Sequence, residues 1–77
     1  MKSPTWIHRL TQLQRLLADC PTDVLSRSEL AGLLEKLGQY EEAFSHWSAV
    51  LAADPNNLKA REGMSRCRTR RSLQSGI

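Results

Sequence analysis

The sequence predicts an all-α domain of about four helices folded as antiparallel hairpins. Three observations predict it. Apolar residues recur at helical spacing in four successive stretches. Each stretch is bounded by a proline, a glycine or an Asp or Asn suited to capping. The pattern also repeats: Pro21 and Pro55 stand 34 residues apart, and the same shift lays Trp6 on Tyr40, Leu10 on Phe44, Leu13 on Trp47, Leu16 on Val50 and Leu17 on Leu51. Beyond Pro55 it continues more weakly, with Leu58 on Val24, Met64 on Leu30 and Cys67 on Leu33.

The first helix is expected over residues 3–20, with Ser3 as cap and Pro4 at the opening helical position. Trp6, Ile7, Leu10, Leu13, Leu16 and Leu17 give it one apolar face. Pro21 ends it, because proline lacks the amide that the helix needs and disfavours helical geometry at Cys20.

The second helix starts after Asp23, whose carboxylate can accept from free amides; a rival start is Ser26 with Glu29 three residues on. It carries Leu30, Leu33, Leu34 and Leu37 and stops at Gly38, a residue suited to left-handed closure. The third begins near Glu41 and Glu42, whose charge favours a helix N-terminus, and buries Ala43, Phe44, Trp47, Val50 and Leu51. The fourth is capped by Asn57, spans 58–71 and leaves 72–77 as a frayed tail. Short joints make antiparallel neighbours the natural packing.

These residues resemble a tetratricopeptide repeat. Leu30, Ala31 and Leu34 look like that family's first-helix positions, and Gly38 with Tyr40 like its turn. Ala43 resembles the small residue where its two helices cross, Trp47 and Leu51 its later apolar positions, and Asp54-Pro55-Asn56-Asn57 its exit. The match covers 24–57, with degenerate half-repeats on both sides. Arg27 departs from the pattern where a large apolar residue is common, Val50 where alanine is common, and Arg9 at the position equivalent to Ala43. The resemblance implies a short superhelix of helix pairs and a non-catalytic role in holding another protein.

Composition narrows the alternatives. A 77-residue chain is one domain whose core is too small for much spare stability. Two cysteines without metal spacing give neither a disulfide framework nor a metal site. No apolar run is long enough for a signal peptide or a membrane span, so a cytoplasmic setting is expected. The chain shows no Gly-rich phosphate loop, no motif framing His8 or His46, and no paired carboxylates in a recognisable site. We therefore expect no enzyme and no cofactor.

Charge is unevenly placed. From Lys59 to Arg71 six basic residues face one acid, Glu62, while residues 1–58 hold five basic and seven acidic residues. At ~100° per residue, Lys59, Arg66 and Arg70 share one face of the last helix, and Ala60, Met64 and Cys67 share another. Glu62, one turn before Arg66, would partly offset it.

The family resemblance implies a groove lined by Leu25, Ser28, Gly32, Glu35 and Lys36 from the second helix and by Lys59, Glu62, Arg66, Thr69 and Arg70 from the fourth. The partner-binding candidates are Ser28, Gly32, Lys36, Lys59, Arg66 and Arg70, and an acidic protein segment is the ligand they suit. Glu35 replaces a neutral donor on the groove side, so the carboxylate clamp of some family members is not carried over. The same cations also fit the polar outer face that a terminal repeat helix needs for solubility.

Trp6 and Ile7, with no earlier helix to cover them, read either as self-association candidates, giving a homo-dimer, or as part of a helix that simply caps the end. The alternative function is nucleic-acid binding by the arginine-rich segment RCRTRRS, although no aromatic is interleaved for stacking. Glu42 and His46 read as a surface pair one turn apart. Cys67, among arginines, reads as an inward packing residue or as a thiol of lowered pKa.

Overall fold

The computed structural model describes the backbone of residues 5–75 and the side chains of residues 5–71. Four helices follow in order, α1 (Thr5–Asp19), α2 (Val24–Lys36), α3 (Tyr40–Ala53) and α4 (Leu58–Ser75), with no strand among the described residues. The all-α hairpin fold expected from the sequence is therefore present. The expected cap at Ser3 and Pro4 lies outside the described residues. The last helix continues beyond Arg71 to Ser75, one turn further than its sequence predicts.

The joints follow from local chemistry. Asp23 caps α2, its Oδ1 accepting the Ser26 amide at 3.2 Å and its Oδ2 the Ser26 hydroxyl at 2.7 Å. Ser26 is thus the capped residue rather than a rival cap. At the other end Gly38 has φ +79°, the left-handed value. There the Gln39 amide donates to the Leu34 carbonyl at 2.9 Å and the Gly38 amide to that of Glu35 at 3.0 Å. Those two bonds make a Schellman closure, which leaves little free carbonyl at the helix end. An alanine at Gly38 would add roughly 1–2 kcal/mol of backbone strain.

Four hydrogen bonds at the two proline joints recur at the 34-residue period of the sequence. Cys20 N–H donates to the Leu16 carbonyl at 2.8 Å, as Asp54 N–H does to that of Val50 at 2.7 Å. Asp23 N–H donates to the Cys20 carbonyl at 3.1 Å, as Asn57 N–H does to that of Asp54 at 3.1 Å. The Ser26 amide meets Asp23 Oδ1 at 3.2 Å, as the Ala60 amide meets Asn57 Oδ1 at 2.9 Å. Arg27 N–H donates to the Asp23 carbonyl as Arg61 N–H does to that of Asn57. Asp and Asn serve equally because each presents a side-chain oxygen to the same orphan amide.

The core is one cluster. Leu13, Leu17, Leu30, Ala31, Leu34, Ala43, Trp47, Val50, Ala60 and Cys67 are buried, with Leu10, Val24, Leu33, Tyr40, Phe44, Leu51 and Met64 packed against them. Leu13 and Trp47, matched by the 34-residue shift, are both fully enclosed. α3 packs between α2 and α4, whereas α1 packs on α2 alone. That inequality decides α1's apolar face. Leu13 and Leu17 go inward, but Leu16, on the same apolar face, stays 40 % exposed because α2 is the one surface on offer. The particle measures 36 × 34 × 17 Å, about two helices thick.

Candidate functional site

The residues projected to line a groove belong to α2 and α4, and Glu35 joins these two helices. This carboxylate accepts the Trp47 indole N–H at 2.7 Å from α3, and Arg66 Nε at 2.9 Å with Nη2 at 3.1 Å from α4. The Glu35 side chain is 12 % exposed and that of Arg66 55 %. Burial pushes the Glu35 pKa up, but the hydrogen bonds from Arg66 and Trp47 and the Arg66 charge outweigh it, and the net shift is downward. Arg66 is therefore part of a clasp across three helices. Glu62, expected to offset it, adds only its field, and Glu35 makes the bond.

Sequence reasoning named Glu35 as a groove residue and Arg66 as a ligand contact, but did not pair them. It also missed Gly63. This glycine is buried in α4, where an added Cβ would stand 2.4 Å from the Trp47 indole. Trp47 thus takes a hydrogen bond partner from one side and a side-chain-free helix face from the other. The signal in the sequence was a glycine inside a helical pattern, spaced to share the face of Ala60, Met64 and Cys67.

The other candidates divide. Lys36, Lys59 and Arg70 are exposed, as ligand contacts must be. Lys59 lowers the Glu29 pKa by its charge, after the larger effect of the Arg9 hydrogen bond, which places it near the acidic side of α2. Ser28 is 7 % exposed, so its side chain faces the packed interior more than a groove. Gly32 is half-buried, and a Cβ built there meets nothing within 4 Å. Leu25, also on the projected groove side, is 83 % exposed. Arg61, Arg68 and Arg70 form no ion pair among the described residues, while Arg71 sits 4.6 Å over the Phe44 ring.

Trp6 and Ile7 are 41 % and 38 % exposed, the open face expected of a helix with a single neighbour. Arg9, next to them, pairs with Glu29 of α2 and donates to Gln12 at 2.7 Å. A shallow depression of about 300 Å³ is lined by His8, Thr11, Gln12 and Arg15 of α1.

The packing corrects one sequence reading and decides between the two offered for Cys67. His46 meets Arg27 of α2 at 3.0 Å, with Glu42 reaching it only through its field. The Cys67 thiol is pushed up, first by burial and then by Glu35, against the weaker pull of Arg66 and Arg71. It is the inward packing residue, with the thiolate disfavoured; Cys20 is exposed. No three His, Cys, Asp or Glu side chains converge among the described residues, and no described helix is long and apolar enough to cross a membrane.

No family model, curated protein or solved structure matches this chain.

Proposed function

We propose that the chain is a non-catalytic interaction module of the tetratricopeptide kind, which holds an acidic segment of a partner protein along the face shared by α2 and α4. The reading is supported chiefly by the recurrence of four joint hydrogen bonds at a 34-residue interval. In this reading α2 and α4 are equivalent members of two successive pairs, which their contact with each other supports. Of the acids nearby, Glu29 pairs with Arg9 and Glu35 with Arg66 and Trp47, which leaves Glu62 as the acid still set among the cations. Lys36, Lys59 and Arg70 are left to attract negative charge.

The test is binding of acidic, neutral and sequence-scrambled acidic peptides by the full chain. Charge reversal belongs at Lys59 and Arg70, because Arg66→Glu would set two carboxylates together inside the fold. Weakened acidic-peptide binding with helicity retained supports the reading; unchanged binding removes it.

The exposed arginines of α4 favour one second reading, nucleic-acid binding through Arg61, Arg68 and Arg70. Phosphate-driven binding would weaken steeply with salt and ignore peptide sequence. Self-association through Trp6 and Ile7 is compatible with either reading. Light scattering of a Trp6→Ser, Ile7→Ser variant across a concentration series tests it.

A further inference from the structure

We propose that His46 and Arg27 form a proton-sensitive latch on the joint between α1 and α2. The Arg27 guanidinium reaches in two directions. Its Nη1 lies 3.0 Å from His46 Nδ1 on α3, and its Nη2 donates to the Pro21 carbonyl at 3.0 Å. A guanidinium has donors only and keeps its charge at all relevant pH values. His46 Nδ1 is therefore the acceptor, which makes the ring neutral with its proton on Nε2. One side chain of α2 thereby ties the turn that delivers α1 to the helix at the centre of the fold. α1 packs on no other helix than α2, so its hold on the molecule depends on that turn, on Leu13 and Leu17, and on the Arg9–Glu29 pair.

Proton uptake by His46 removes the acceptor and faces the guanidinium with a second cation. The charges around the ring are few. Arg27 from α2 opposes protonation and Glu42, one turn earlier on α3, favours it; α4, the other helix packed on α3, brings no described charge that shifts it. Burial first, and then the Arg27 charge, hold the His46 pKa below the ordinary histidine range, with Glu42 restoring part of the loss.

The latch has two positions. Neutral His46 accepts from Arg27; protonated His46 turns toward Glu42, and the displaced guanidinium gives up the Pro21 carbonyl. The hold on the joint is complete above about pH 6.5, the ordinary histidine value, and is lost as pH falls from there through the lower pKa of the folded His46. Neither Asp23 nor Glu29 competes in this window, because both have pKa values held below the usual carboxylate range by their hydrogen-bond partners.

The experiment is amide exchange by NMR on the full chain between pH 7.5 and 5.5, expressed as protection relative to the unstructured rate. Protection at Leu13 and Gln14 of α1 should fall roughly threefold or more toward pH 5.5, while that at Trp47 of α3 holds. His46→Asn keeps an amide oxygen at the Nδ1 position for Arg27 at every pH and should abolish the fall. His8→Gln, altering the other histidine, should leave it intact. Constant α1 protection in the parent, an equal fall in His46→Asn, or an equal fall at Trp47 would each overturn the latch.

Discussion

The Glu35 carboxylate accepts the Trp47 indole N–H at 2.7 Å, so the bulkiest enclosed side chain of the core is held by a charged group that is itself neutralised by Arg66. Removing the acceptor leaves a buried N–H unpaired. Glu35→Ala should cost about 1–3 kcal/mol in urea unfolding, and Trp47→Ala about 3–5 kcal/mol, enough to unfold much of so small a domain. Glu35→Gln, which keeps an acceptor for Trp47, should fall well short of Glu35→Ala. Equal losses would mean that the indole bond contributes nothing.

Two glycines inside helices should respond with opposite sign. Gly63→Ala pushes a methyl group into the Trp47 ring and should destabilise by about 1–3 kcal/mol or more. Gly32→Ala meets empty space in a helical backbone and should stabilise by about 0.5–1 kcal/mol. Thermal melts of the two variants against the parent decide both.

Acid should unfold the domain in a way set by its carboxylates. Folded Asp23, Glu29 and Glu35 have pKa values below their ordinary values of 3.8, 4.5 and 4.5. Groups shifted downward contribute stability that is fully present above the unfolded pKa and lost as pH falls through the folded one. Stability measured by chemical denaturation should therefore drop from about pH 4.5 downward. Glu35→Gln should make that decline shallower, and a parent whose stability is flat between pH 5 and 3 would contradict the assignment.

The second cap offers a smaller, cleaner probe. Asn57→Ala removes the oxygen that accepts the Ala60 amide and should cost about 1 kcal/mol, whereas Asn57→Asp keeps that oxygen, loses the bond donated to Asp54 Oδ2 and should fall between the parent and Asn57→Ala. The cap contact itself is expected to survive because Asp23 makes the equivalent one 34 residues earlier. Denaturant midpoints of the pair test whether the two joints are interchangeable.

The elements legible in the sequence were those fixed by neighbours along the chain. The Asp23 and Asn57 caps, the left-handed Gly38 and the buried pair Leu13 and Trp47 all follow from spacing and turn chemistry. What escaped depends on helices meeting across space. Glu35 and Arg66 each read as a solvent-facing charge because their pairing requires α2 and α4 to lie side by side. Arg27 and His46 meet for the same kind of reason. Leu16 misled in the other direction: its place on an apolar stripe says nothing of how many helices will pack there, and α1 has one.

Matching bonds at Pro21 and Pro55 make the molecule modular in a literal sense. A second copy of residues 22–55, spliced in after Pro55, would find at each boundary the same joint it leaves behind. Such a lengthened chain should gain one further hairpin while both ends keep their present surroundings.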